Sequence, residues 1–108
     1  MPAIQRKWIG EYRRYSQRLA EPAVLAELGV QFKKMYTLPE LLEWLHRKVK
    51  WSKGNITRYR DPIKILEYGK GKCGEFGILF TALCLVHHYR ARLILDMSDH
   101  VWTEVWNE

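Results

Sequence analysis

At 108 residues and 12.9 kDa the chain has material for one hydrophobic core and not two, so residues 1–108 are read as a single domain. Hydrophobic residues make up 47%, with five Trp and six Tyr, which excludes a disordered polymer; no apolar run reaches membrane length and no secretion signal opens the chain, so a cytoplasmic protein is expected. The formal charge of +6 is uneven: residues 1–60 carry 13 Lys/Arg against 5 Asp/Glu, and residues 61–108 carry 5 against 7.

Residues 3–20 place Ile4, Trp8, Ile9, Tyr12, Tyr15 and Leu19 at steps of three and four with basic residues between them, which predicts an amphipathic helix. A short second helix is expected around Val24, Leu25 and Leu28, with Pro22 in its first turn and Gly29 as its stop. Residues 30–36 read as loop or short strand. Thr37-Leu38-Pro39-Glu40 is a capping box opening a helix through about Trp51, with Leu41, Leu42, Leu45 and Val49 as its buried stripe. Residues 52–60 form a loop, Asp61 and Pro62 start a short helix, and Gly69 ends it. The run after Cys73 is apolar on nearly every side and predicts a central buried helix. Residues 92–97 suggest a strand, Ser98 and Asp99 a bend, and residues 100–106 a second strand. In that strand His100, Trp102, Glu104 and Trp106 share one face and Val101, Thr103 and Val105 the other.

Both cysteines fall in the central helix segment, Cys73 and Cys84, about 16 Å apart by helical rise, too far to bridge each other. No C-x-x-C or H-x-x-x-H pattern occurs, so no metal site and no cofactor is expected. A thiol reacts as thiolate, and a helix N-terminus stabilises that charge. Cys73 opens its helix behind Lys70 and Lys72, and Gly71 and Gly74 carry no side chains to block an approaching amide, whereas Cys84 lies inside the apolar run and suits burial. A cysteine nucleophile needs an imidazole to take its proton. His46 lies in a basic helical stretch, and His87 and His88 end the helix that Cys73 begins, so none of the three is expected to reach the sulfur within one chain. His100, opening the last strand, is left as the base.

The segments G-N-I-T-R-Y-R-D-P-I-K-I-L-E-Y-G-K-G-K-C-G-E-F and D-H-V-W-T-E-V-W resemble the transglutaminase-like superfamily, most closely the catalytic core of peptide:N-glycanases. The likeness runs over residues 51–106. It implies a papain-like α+β fold: helices over 1–51, then a catalytic core segment over 52–108 with the central helix starting at the nucleophile and a small antiparallel sheet that looks truncated at its C-terminus. It assigns nucleophile and base to Cys73 and His100. By position Trp51 resembles the tryptophan on the oxyanion side of such sites; as the last core residue of its helix it reads equally well. The paired zinc-binding cysteines of peptide:N-glycanases are absent, which suits a prokaryotic or archaeal relative without that subdomain. The family's third catalytic residue, usually an Asp on the next strand, is expected beyond Glu108. Asp96 and Asp99 are poor substitutes for it, since Asp99 and His100 adjoin on a strand and point to opposite faces.

The expected reaction is therefore acyl transfer on a protein, peptide or glycopeptide amide, ending in hydrolysis, with Cys73 and His100 catalytic and Trp51 and Gly74 at the oxyanion or substrate. Glu75 is expected to be structural, favouring its helix end through the dipole. Arg58, Tyr59 and Arg60 read equally as cleft residues or as exposed loop charge. A rival reading is a catalytically impaired interaction module whose C-terminal edge strand, near Trp106, pairs with a partner or a second copy. The basic N-terminal half would suit a nucleic-acid binder, but its charges are interspersed with core positions and no recognition motif accompanies them.

Overall fold

The computed structural model describes residues 21–95 and 100–106. The helix expected over 3–20, the Ser98–Asp99 bend and both Asp96 and Asp99 lie outside the described residues.

Helix α1, Pro22–Gly29, begins with proline in its first turn and buries Val24 and Leu28. The following residues form a turn and loop with no strand. Helix α2, Leu38–Lys48, opens on the expected capping box. The Glu40 N–H donates to Thr37 Oγ1 at 3.3 Å, and the Thr37 N–H donates to Glu40 Oε1 at 2.9 Å. That backbone bond, with the Thr37 side chain and Lys34 behind it, holds the Glu40 carboxyl below its ordinary value of 4.5. The stability it contributes is complete above that ordinary value and is lost as the pH falls through the lower folded one. Thr37→Ala is expected to cost about 1 kcal/mol, read as a lower urea midpoint with an unchanged m-value.

Two expectations for α2 need correction. It stops at Lys48, three residues short of Trp51: Val49 is extended (φ −125°, ψ 127°) and turns its side chain into the core. Lys50–Trp51 then form strand β1. This strand pairs in parallel with Lys70–Gly71, strand β2, through Lys50 N to Gly69 O at 2.9 Å and Ser52 N to Gly71 O at 3.0 Å. Second, Leu42 is exposed; Trp44 takes the inward position, its ring 4.9 Å from that of Phe32. Between β1 and β2, helix α3, Pro62–Tyr68, is capped by the Asp61 carboxylate accepting from Ile63 N at 2.9 Å. It ends at Gly69 in the left-handed region, φ 75°, where a residue without Cβ is favoured.

Helix α4, Cys73–Val86, is the centre of the molecule. Ile78, Leu79, Leu83 and Cys84 are fully enclosed, packed by α1, α2 and α3 on one side and by a two-stranded sheet on the other. A turn through His88, at φ 64°, reverses the chain. Strand β3 is Arg90–Leu95, two residues earlier than expected because the helix ends directly in this tight turn. It pairs antiparallel with β4, Val101–Trp106, in the register Arg90↔Trp106 to Leu95↔Val101. The alternation is as expected: Trp102 and Trp106 are exposed, while Leu93, Val101 and Val105 pack inward against the core. On the outer face Arg92 pairs with Glu104 at 2.9 Å and its guanidinium carbon lies 5.0 Å from the Trp106 ring centre. No helix among the described residues is long and apolar enough to cross a membrane.

Candidate active site

Cys73, partly exposed, is the first residue of α4 and lines an open groove of about 340 Å³. Leu42 and Leu45 of α2 form one wall, Phe76 and Phe80 of α4 the floor, and Val101 and Trp102 of β4 the other wall. This accounts for the exposure of Leu42, which faces the groove rather than the core.

The opposite wall is set by Gly77. A Cβ there would lie 2.9 Å from Leu93 Cδ1, 3.0 Å from Val101 Cγ1 and 3.7 Å from the Trp102 Cα, so the missing side chain lets β4 lie directly on α4. One turn further on, Thr81 and Thr103 hydroxyls meet at 2.9 Å, and Thr103 Oγ1 donates to Gly77 O at 3.2 Å. The step from Gly77 to Thr81 rises about 6 Å along the helix. The step from Val101 to Thr103 advances about 6.6 Å along the strand. Helix and strand thus run in the same direction at nearly the same pace. His100 immediately precedes Val101, which lines the groove. His100 is exposed.

Trp51 is not a core residue of α2. Paired with Gly71, two residues ahead of Cys73, it is 56% exposed with its ring 6.1 Å from that of Phe76. The parallel β1–β2 pair is what carries it beside Phe76, which lines the groove. His46, which the sequence places in a basic helical stretch out of reach of the sulfur, has its ring 5.6 Å from that of Phe76, a residue lining the same groove. Its position one turn after Leu42 was the signal that could have found it. His87 belongs to the core: it is buried, its Nδ1 lies 2.8 Å from Leu83 O, and its ring packs edge-on to Phe32 at 4.6 Å.

The glycines beside Cys73 are not open approaches. A Cβ at Gly74 would sit 3.3 Å from an Arg58 guanidinium nitrogen, and one at Gly71 only 2.6 Å from the Glu75 Cβ. Glu75 is buried, and its Oε1 accepts from Lys72 N at 3.0 Å and from Arg58 Nε at 2.7 Å. The loop charge of Arg58 is therefore tied to the helix start. What α4 offers a ligand at this end is its first backbone N–H groups, which have no partner within the helix. Burial pushes the Cys84 thiol up to about 12, leaving it inert at neutral pH. Among the described residues no group of three or more His, Cys, Asp or Glu could hold a metal.

A family model described as transglutaminase-like superfamily matches residues 27–108. Over 50 residues, 46% of this chain, the sequence is 56% identical to a peptide-N(4)-(N-acetyl-beta-glucosaminyl)asparagine amidase of Oryza sativa subsp. japonica, of which the match covers 11%. The proteins of the same name from Arabidopsis thaliana and Homo sapiens are 50% and 46% identical over 50 residues, 46% of this chain, with 7% and 8% of their own lengths covered. The matched segment is thus about a tenth or less of each of these relatives.

Proposed function

Because the chain belongs to the transglutaminase-like superfamily, we propose that it hydrolyses an amide bond through a thioester, with Cys73 as nucleophile and His100 as its base. The observation that supports this reading is the groove itself, with Cys73 on its surface at the start of α4 and Val101, the residue that follows His100, on the facing wall. Similarity to asparagine amidases over the matched segment supports an amide as the bond cleaved and a protein, peptide or glycopeptide as substrate.

In this mechanism His100 takes the thiol proton and the sulfur attacks the carbonyl carbon. The oxyanion is received by backbone N–H groups at Cys73 and Gly74 and by the Trp51 indole N–H. Collapse expels the amine, which takes the proton from His100. Water then gives a proton to His100 and adds to the thioester, and release of the acid returns the proton to sulfur.

A thiol-directed electrophile built on an amide mimic tests the assignment. At neutral pH we expect it to label Cys73 and spare Cys84, and to label Cys73 at least tenfold more slowly in His100→Ala. A second reading, a catalytically impaired interaction module, draws on the exposure of Trp102 and Trp106 along β4. Slow labelling of Cys73 that is indifferent to His100 favours that module.

A further inference from the structure

We infer that Arg58 is a positioning residue for the Cys73 thiol, fixing the first turn of α4 through the buried Glu75 carboxylate and cancelling the negative charge that Glu75 brings near the sulfur. The inference rests on the reading of Cys73 as nucleophile.

The geometry is converged on the two peptide groups that flank Cys73. One oxygen of Glu75, on a side chain 5% exposed, accepts both the Lys72 N–H ahead of the cysteine and the Arg58 Nε–H from a loop 17 residues away. The carboxylate can fold back to Lys72 only because Gly71 has no Cβ, which would otherwise lie 2.6 Å from that of Glu75. The guanidinium lies over Gly74, 3.3 Å from where its Cβ would be. The spacing Gly-Lys-Cys-Gly-Glu thus has a physical account: two bare Cα atoms make room for an ion pair against the backbone on both sides of Cys73.

A buried carboxylate two residues from a thiol opposes ionisation of that thiol unless a cation offsets it. Other charged and titratable groups at this end of α4 are His46 on α2, Lys50 on β1, Lys70 on β2, Lys72 at the cap and His100 ahead of β4. Of the cations in this set, Arg58 is the one hydrogen-bonded to Glu75. Its removal therefore leaves the thiolate facing an uncompensated acid, and the pH–rate profile of thiol alkylation moves to higher pH.

The test follows carboxamidomethylation of Cys73 in the full chain from pH 5 to 10 by mass spectrometry. Arg58→Met is expected to move the profile to higher pH and slow labelling at pH 7 roughly three- to tenfold. Arg58→Lys restores most of the rate. The double variant Arg58→Met/Glu75→Gln, which carries neither charge, returns the profile toward that of the parent, and Glu75→Gln alone moves it to lower pH. A lowered unfolding midpoint with an unmoved profile overturns the inference and leaves Arg58 a merely structural residue. If Arg58→Met does not fold, an unmoved profile in Glu75→Gln overturns it equally. These readouts are taken on the sulfur itself and need no turnover. Absence of amide cleavage with a profile that moves as described defeats the hydrolase reading and leaves this one standing.

Discussion

Replacing Cys73 with alanine is expected to lower amide hydrolysis by about four orders of magnitude or more, with little change in the unfolding midpoint. In the proposed mechanism the sulfur forms the bond that splits one difficult substitution into two easier ones. Cys73 is partly exposed on a groove wall, so truncation opens no internal cavity. Cys84→Ala reverses both expectations. It is fully buried in α4, and loss of its sulfur costs about 1 kcal/mol of stability while leaving the rate unchanged. With its thiol pushed up to about 12, Cys84 is about one part in ten thousand thiolate at pH 8, too little to contribute nucleophilic activity. His100→Ala falls between, with a loss of about a thousandfold from missing proton transfer. Steady-state hydrolysis of a glycopeptide or peptide amide, measured beside urea unfolding for each variant, separates the three. Equal activity in the Cys73→Ala and parent proteins sinks the thioester mechanism.

The parts legible in the sequence were those governed by neighbours. The Thr37–Glu40 box, the Asp61 cap and the Gly69 stop each involve groups within a few residues, and each forms as its residue types require. The alternation of β4 was equally plain, since a period of two admits one inward set. What escaped depends on long-range partners. Leu38, Leu41, Leu42, Trp44 and Leu45 cover more than one face of α2, so periodicity does not choose between Leu42 and Trp44 as the inward residue. The groove decides it, drawing Leu42 to its wall. Strand β1 is two residues long and exists because Gly69 and Gly71 carbonyls accept from Lys50 and Ser52, a pairing across some twenty residues that no local pattern announces. The same separation hid Arg58 as the partner of Glu75. Cys73 stood out because a glycine- and lysine-rich approach turns abruptly into an apolar helix at that residue; His46 did not, because its basic neighbours masked the contact with Phe76.

Gly77→Val is expected to remove activity and about 3 kcal/mol of stability together, although the residue bears no functional group. A single Cβ at this position already approaches Leu93 Cδ1 and Val101 Cγ1 at about 3 Å, and the two further methyl groups of valine have to find space between α4 and a strand that rests on it. The side chains in the way are themselves held: Leu93 is fully buried, and Val101 is fixed by its pairing with Leu95. Relief therefore comes from lifting β4 off the helix, which breaks the Thr81–Thr103 and Thr103–Gly77 hydrogen bonds and displaces the strand that His100 leads into. Gly77→Ala is the graded form, requiring a shift of a few tenths of an ångström and a smaller loss of both properties. If the groove works as a thiol–imidazole site, Cys73 alkylation in Gly77→Ala will lose its dependence on His100 before the protein loses its fold. A Gly77→Val protein with parental stability and full hydrolytic rate is incompatible with β4 seated on α4 at this position, and with the proposed pairing of His100 and Cys73.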